Sequence, residues 1–151
     1  MQVLEMLTRA HQRLAIVSAN ASLAQVAGLL NLEHIDLAVV CDPSGSMVGV
    51  ITGSDIVRSI SEFRPGLDGP CRMDAATAMA REVVSCRLSD KLDDVWSIMR
   101  RKGLWHVPVV NEDRSPLGVL YACDVLDYLF QESLLSGKAL AESALRISGP
   151  L

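Results

Sequence analysis

Four cysteines are present in the chain, but they lack the spacing of a metal or disulfide motif. They lie far apart and form neither a CxxC pair nor a Cys/His zinc-ligand pattern: Cys41, Cys71, Cys86 and Cys123. Isolated cysteines of this kind are typical of free thiols in a reducing compartment. We therefore expect a cytoplasmic protein without disulfides or zinc.

Long apolar runs and an excess of basic residues are also missing. No apolar run approaches the roughly 18 residues of a membrane span, and the N-terminus has no basic region followed by an apolar core and a cleavage site. Aromatic residues make up only 4% of the chain, and its formal net charge is -4. Nucleic-acid-binding domains are usually basic. These absences predict no membrane anchor, no export signal and no nucleic-acid partner.

The sequence shows no catalytic constellation. We find no nucleophile beside a base, no carboxylate pair in a cleft-like arrangement and no metal-ligand spacing. His11 and His34 have no sequence partner that indicates metal binding or catalysis. We therefore expect a protein that is not an enzyme and that requires no cofactor.

One stretch of the chain indicates a strand, a turn and a capped helix. Met47 to Ile51 is an apolar run of strand length, and Gly53 interrupts it before helical spacing begins. Thr52 and Asp55 then stand three residues apart at the helix entrance, which is the spacing of a capping box. The pattern alone predicts a capped helix, with Asp55 as an exposed carboxylate at its start.

A second copy of this stretch follows later in the chain. In Leu117 to Leu126, Gly118 matches Gly49 and Asp124 matches Asp55. Upstream, each copy is preceded by an amphipathic helix pattern and an apolar strand pattern. Units of this size bury too little surface to be secure alone. We predict an α/β (α+β) fold of two strand-helix-strand-strand-helix repeats that share a core.

Helices and strands alternate irregularly along the chain, which favours an α+β or α/β fold over a helix bundle. They are an amphipathic helix over Met1 to Arg13, a strand over Leu14 to Val17, a helix over Leu23 to Leu32, strands over Leu37 to Cys41 and Met47 to Ile51, a helix-compatible stretch over Asp74 to Arg81, a strand start at Val83 to Ser85, a helix over Lys91 to Lys102, strands over Trp105 to Val110 and Leu117 to Tyr121, and a final helix past Phe130. Arg64 to Pro70 is rich in proline and glycine. We place repeat one at about 12–62, a linker at about 63–79, repeat two at about 80–131 and a tail at about 132–151.

The chain resembles a tandem pair of CBS domains. The matching features are the duplicated hairpin, Pro108-Val109-Val110 in the second copy, and Gly-x-x-Thr-x-x-Asp at Gly49, Thr52 and Asp55 in the first. The resemblance covers about Gln12 to Phe130. It implies two repeats packed sheet against sheet about a pseudo-twofold axis, with flanking terminal helices. It also implies clefts between the repeats that bind AMP, ADP, ATP or a related adenosyl compound.

The implied ligand contacts have a chemical basis in the residues themselves. A helix N-terminus attracts phosphate, and a carboxylate accepts hydrogen bonds from both hydroxyls of a ribose. By resemblance, Thr52 and Asp55 serve one cleft with aliphatic contacts from Val83 and Val84, and Asp124 serves the other. For the Asp124 cleft, the resemblance also implies contacts from Ile16, with the stretch from Leu14, and from His106. Arg58 lies one turn after Asp55 and reaches either a phosphate or solvent.

The two clefts differ in this sequence. We match Asp36 of the first copy to His106 of the second, and Tyr121 stands where the first copy has Thr52. This predicts that phosphate-bearing ligands use the Asp124/His106 cleft, with affinity that weakens as pH rises, because protonated His106 donates to phosphate. Two alternatives stay open: His106 is a boundary residue of its strand, and Tyr121 fills its pocket.

The function that fits these patterns is regulatory. We expect a module that senses an adenosyl ligand and passes a conformational change to a protein effector or to its own dimer. The alternative is a CBS scaffold with empty clefts. Apolar positions left on the outer helices predict a homodimer shaped as a flat disc: Val3, Leu4, Leu7, Leu126 and Leu129.

Overall fold

The computed structural model describes residues 1–62 and 72–136. A 3-10 turn at Val3–Met6 leads into the first of six α-helices in these residues. The helices are α1 (Leu7–Gln12), α2 (Leu23–Glu33), α3 (Gly53–Ser61), α4 (Ala75–Ala78), α5 (Leu92–Lys102) and α6 (Ala122–Ser136). The strands are β1 (Ile16–Ser18), β2 (Leu37–Cys41), β3 (Met47–Thr52), β4 (His106–Val110) and β5 (Pro116–Tyr121). The predicted mixed fold with its two repeats is confirmed.

The two hairpins have the same register. In the first repeat Leu37 pairs with Thr52, and in the second His106 pairs with Tyr121. Corresponding residues therefore differ by 69 positions (106 minus 37, 121 minus 52). Each hairpin also has an irregularity at the equivalent step before its turn. This shift identifies the counterpart of every residue in the two hairpins.

The sheets differ in strand number for a local reason. In the first repeat β1 runs parallel to β2, and the Val39 N–H donates to the Ala15 carbonyl at 2.8 Å. The counterpart of Val39 is Pro108, which has no N–H to donate. Cys86 makes only an isolated bridge with Val109. The predicted strand start at Val83 to Ser85 is therefore wrong.

The ends of several other helices and strands differ by a few residues from the predicted ones. The first strand is Ile16–Ser18, the N-terminal helix begins as a 3-10 turn that continues directly into α1, and α4 occupies only four residues of the predicted helical stretch. The predicted linker at Arg64 to Pro70 and the tail beyond Ser136 lie outside the described residues. α2 begins with a capping box between Ser22 and Gln25, which explains why its predicted start was accurate.

The hydrophobic core has a part inside each repeat and a part between them. The shared part contains buried residues of both hairpins: Leu37, Val39, Cys41, Met47, Val50, Val110, Val119 and Tyr121. Half-buried Leu14 and Val83, which are counterparts, pack against it. The predicted shared core is thus present, and it fixes one repeat against the other.

The segment before each repeat packs against the opposite repeat. The Val3 N–H donates to the Asp90 carbonyl, and the Leu92 N–H donates to the Met1 carbonyl. Further along, Ala10 lies directly over Gly118. A Cβ added to Gly118 would lie 2.7 Å from the backbone carbonyl carbon of Ala10. Val3 is fully buried by this packing, so the expectation that it lies on an uncovered face is wrong.

The segment from Ala75 to Ala80 packs on the first repeat in the equivalent way. The Ala75 N–H donates to the Ala21 carbonyl, and Ala80 and Val50 exchange two backbone hydrogen bonds. Gly49 lies under Met79 and Ala80, as Gly118 lies under Ala10. The two repeats therefore exchange their leading segments.

The described cysteines are unpaired. Cys41 and Cys86 are buried, and Cys123 is exposed at the start of α6. Burial raises the pKa of the Cys86 thiol to about 12, so it stays protonated. No helix in the described part of the chain combines the length and the apolar character needed to cross a membrane.

Candidate functional site

Thr52 and Asp55 form the predicted capping box at the start of α3. The Asp55 N–H donates to Thr52 Oγ1 at 3.3 Å, and the Thr52 N–H donates to Asp55 Oδ2 at 2.9 Å. The Thr52 hydroxyl donates to the same carboxylate oxygen at 3.1 Å. One oxygen of Asp55 is therefore used to hold the helix start.

Among the described residues, the other oxygen of Asp55 has one hydrogen-bond partner, the arginine one turn later. Arg58 Nη2 donates to Asp55 Oδ1 at 2.7 Å, and the Arg58 side chain is 58% exposed. Asp55 itself is only 9% exposed, which corrects the expectation of an exposed carboxylate. The capping box folds its side chain back over the backbone, which buries it. Oδ1 is therefore the oxygen that is not used by the capping box.

A cavity of about 700 Å³ begins at the same helix start. Thr52, Gly53 and Ser54 line one side of it, and residues of the second repeat line another: Trp105 and His106. Asp36 also lines the cavity, whereas Asp55 and Arg58 are not among its lining residues. The structure thus brings Thr52 and His106 together at one cavity and leaves the Asp55–Arg58 pair next to it.

His106 and Asp36 do not belong to separate clefts. His106 Nε2 lies 3.6 Å from Asp36 Oδ2, and both side chains line the cavity at Thr52. The predicted separation is wrong because the two residues are not counterparts. The shift of 69 pairs His106 with Leu37 and Asp36 with Trp105, and a slip of one residue along a strand reverses the face to which a side chain points.

The surroundings of His106 keep its ring uncharged at neutral pH. Burial lowers the pKa of His106 below its usual value, and the nearby Asp36 carboxylate offsets only part of that effect. The ring makes an edge contact with Tyr121, with 4.6 Å between the centroids. In the free protein the lowered pKa therefore favours the neutral form of His106 over the imidazolium.

Tyr121 fills the position that Thr52 occupies in the first repeat. Its side chain is buried, and its hydroxyl accepts a hydrogen bond from the Asp36 N–H at 3.0 Å. The guanidinium of Arg13 lies over its ring, 4.4 Å from the centroid. Tyr121 thus joins the two repeats, and His106 is the first residue of its strand; both interpretations of the sequence remain predictions.

Asp124 is bound by two arginines of the N-terminal segment. Arg13 donates from Nε to Oδ2 at 2.9 Å and from Nη2 to Oδ1 at 3.1 Å, and Arg9 Nε donates to Oδ1 at 3.2 Å. Burial by itself raises the pKa of Asp124, but the hydrogen bonds from Arg13 and Arg9 outweigh it, so the pKa lies below the ordinary value. The pKa of Arg13 is raised, chiefly by its hydrogen bond to Asp124.

Sequence reasoning missed both arginines. Arg9 and Arg13 are four residues apart, a spacing that places both side chains on one face of a helix. That signal was present in the sequence, but nothing local relates it to Asp124, which lies 111 positions after Arg13. The contact arises only because the N-terminal segment packs against the second repeat.

The other predicted contacts lie at the edges of this arrangement. Val83 packs against the core between the repeats. Val84, the next residue in the sequence, is half-buried. Ile16 is 49% exposed and pairs with Val39 in the sheet. Their predicted roles as ligand contacts remain predictions.

The second repeat has a smaller equivalent of the first cavity. It measures about 250 Å³ and lies between α5 and α6, where Trp96 and Met99 are among its lining residues. Trp96 is the counterpart of Ala27, which lines the larger cavity. The bulk of the indole explains why less space is left.

Comparison with known proteins gives the class of the chain. The family model of the CBS domain matches residues 3–62 and 75–131. Two matches in one chain, over the two repeats described above, make this a CBS-domain pair, and the protein belongs to the CBS-domain family.

Solved structures share the arrangement. The CBS-domain containing protein ATU1752 from Agrobacterium tumefaciens is 26% identical, with a TM-score of 0.71 over 85% of this chain and 98% of that chain. The CBS domain pair of protein MJ0100 in complex with 5′-methylthioadenosine and S-adenosyl-L-methionine is 21% identical, with a TM-score of 0.71 over 88% of this chain and 98% of that one.

A curated relative is much longer than this chain. L-aspartate semialdehyde sulfurtransferase of Methanocaldococcus jannaschii is 24% identical over 71% of this chain, but only 19% of its own length is covered. The similarity is therefore confined to about a fifth of that enzyme.

Proposed function

We propose that this CBS pair is a regulatory module that binds an adenosyl ligand between its repeats, with the ribose at Asp55. The observation that carries the proposal is the state of the Asp55 carboxylate. Oδ2 is held by the capping box, while Oδ1 has only the exposed Arg58 as a partner. A ribose hydroxyl can replace that arginine at little cost, because an exposed ion pair contributes less than about 1 kcal/mol.

The surroundings of the helix start favour a ligand with little phosphate charge. The described residues that line the adjacent cavity include one acidic residue, Asp36, and no Lys or Arg. His106 also lines the cavity, and its lowered pKa favours the uncharged ring at neutral pH. A triphosphate would need several converging cations. A neutral or cationic adenosyl compound avoids this requirement, and the similar protein MJ0100 was solved with two such compounds.

A regulatory module must pass its ligand state to something else. Several large apolar side chains remain exposed in the described residues, among them Val57 on α3 and Leu126 on α6. These two are counterparts, and equivalent exposed apolar positions in both repeats suit the isologous contact of a twofold homodimer. We propose a cytoplasmic homodimer that transmits ligand binding to itself or to a protein effector.

The experiment is a calorimetric titration with adenosine, 5′-methylthioadenosine, S-adenosylmethionine, AMP and ATP. Asp55→Ala is expected to remain folded, with a loss of about 1–2 kcal/mol in the free energy of unfolding, and to lose most of its affinity for the probe that binds. Gln25→Ala is the matched control, because Gln25 holds the same position in the capping box of α2 and lies outside the cavity lining.

Two results would reject this assignment. Equal affinities of the wild type, Asp55→Ala and Gln25→Ala would reduce Thr52 and Asp55 to a capping box. No binding of any probe would favour the second candidate, a CBS scaffold with empty clefts, which is consistent with both aspartates being hydrogen-bonded within the chain.

A further inference from the structure

The two equivalent aspartates are held very differently. Asp55 gives one carboxylate oxygen to a single exposed arginine of its own helix. Asp124 gives both oxygens to Arg9 and Arg13, which donate three hydrogen bonds from a segment far away in the sequence. A ribose hydroxyl thus has one exposed arginine to displace from Oδ1 at Asp55, and two arginines to displace at Asp124.

Arg13 is fixed more firmly than a surface arginine. Its side chain is 24% exposed, compared with 53% for Arg9, and its guanidinium also lies on the ring of Tyr121. Guanidinium stacking on an aromatic face and two hydrogen bonds to one carboxylate act on the same group. A neutral ligand offers Arg13 no anion in exchange for Asp124.

From this geometry we infer that Arg9 and Arg13 are internal occupants of the second cleft. The chain binds one adenosyl ligand, at Asp55, and the Asp124 cleft is a latent site for a ribose diol that opens only when the two arginines leave. The inference rests on the proposed function, because it assigns the ligand to the same kind of carboxylate.

The exclusion follows from the chemistry of the donors. Guanidinium N–H groups and ribose O–H groups both donate to carboxylate oxygens, so they compete for the same lone pairs. A charged donor forms the stronger hydrogen bond to a carboxylate than a neutral hydroxyl does. The arginines therefore prevail in the free protein. A cavity of about 360 Å³, separate from the smaller one at Trp96, lies next to Asp124 on the side of Arg9 and Tyr128.

The arginine side chains can leave without the helix that carries them. The backbone of α1 is held by Ala10 on Gly118, and the preceding turn is held by backbone hydrogen bonds from Val3 and Leu4. These contacts do not involve the guanidinium groups. Variants that shorten Arg9 and Arg13 to glutamine are therefore expected to keep α1 in place.

The test is the binding stoichiometry measured by calorimetry with 5′-methylthioadenosine and, in parallel, AMP. The wild type is expected to bind one ligand per chain, and the double variant Arg9→Gln/Arg13→Gln two. Addition of Asp124→Ala to the double variant is expected to restore a stoichiometry of one. Arg87→Gln/Arg101→Gln is the control, because it removes two exposed positive charges elsewhere and is expected to stay at one.

The inference is overturned if the wild type binds two ligands per chain, if the double variant stays at one, or if neither protein binds either probe. A wild type that fails to bind, together with a double variant that binds one ligand through Asp124, would support the inference and reject the proposed function. Arg13→Gln alone provides a second variant if the double one does not fold, and its second site is expected to be weaker because Arg9 remains.

Discussion

The two repeats share a backbone plan, but they use equivalent positions in different ways. At the helix start the first repeat has Thr52, which leaves a cavity open, and the second has Tyr121, which is buried. In the first repeat, Asp55 pairs with Arg58 of its own helix. The counterpart of Arg58 in the second repeat is Asp127, and Asp124 pairs with Arg9 and Arg13 instead. A few side chains therefore change the surroundings of two equivalent aspartates without any change in the hairpin register.

The largest expected effect comes from the glycines under the exchanged segments. In Gly118→Ala, the new Cβ would lie 2.7–2.9 Å from atoms of Ala10, including its backbone. We expect a loss of about 2 kcal/mol or more in the free energy of unfolding, since overpacking of this kind forces the backbone to move. Denaturant titration of the wild type and the variant measures this loss.

Gly49→Ala tests whether the repeats respond alike. Two of the three closest atoms there belong to the flexible side chain of Met79, and one is the Ala80 carbonyl oxygen at 2.7 Å. We expect a smaller loss than at Gly118. The control is Gly28→Ala in α2, where nothing lies within 4 Å and a gain of up to about 1 kcal/mol is expected. Equal losses at all three positions would disprove the packing explanation.

The second prediction concerns the ion pairs of Asp124. Asp124→Asn is expected to cost about 1–2 kcal/mol at neutral pH, because hydrogen bonds to a charged group are lost while Arg9 stays solvated. The folded-state pKa of Asp124 is lowered, so its stabilising contribution is full above the unfolded pKa of about 3.9 and disappears as pH falls through the folded value. The difference between the two proteins should thus shrink from pH 5 towards pH 2. A difference independent of pH in this range would contradict the assignment.

The third prediction addresses the hydroxyl that joins the repeats. Tyr121→Phe keeps the ring against His106 and Arg13 but removes the acceptor of the Asp36 N–H. We expect a loss of about 1 kcal/mol, measured by thermal or denaturant unfolding. Tyr128→Phe is the control, since that tyrosine belongs to α6 and packs within the second repeat. A loss no larger than that of the control would show that the hydrogen bond is not important for stability.

The smallest effect is expected at the His106–Asp36 pair. The Asp36 side chain is 70% exposed, so Asp36→Asn should change the free energy of unfolding by less than about 1 kcal/mol. Because Asp36 raises the pKa of His106 against the larger effect of burial, its removal should lower that pKa further. NMR titration of the imidazole measures the shift. An unchanged or higher pKa would mean that the two groups do not interact.

Much of the fold was predictable because its signals are local. The start of α2 follows from Ser22 and Gln25, and the two hairpins follow from apolar runs on either side of a polar turn. The pairing of Asp124 with Arg9 and Arg13 was not predictable in this way, because it depends on which repeat the N-terminal segment covers. The error at His106 has a different origin: a match made on apolar residues alone left the register free by one position.

The exchange of leading segments also constrains the order in which the structure can be completed during synthesis. Residues 1–12 leave the ribosome long before β5, the strand on which Ala10 rests. The first repeat in turn waits for Ala75 and Ala80, which bind to Ala21 and Val50. Domains commonly fold one after another as they emerge, but here the first repeat needs a segment that follows its own last helix, and the second repeat needs the segment that was made first. The nascent chain must therefore carry an apolar N-terminal segment, with Val3 and Met6, unburied until the second hairpin appears.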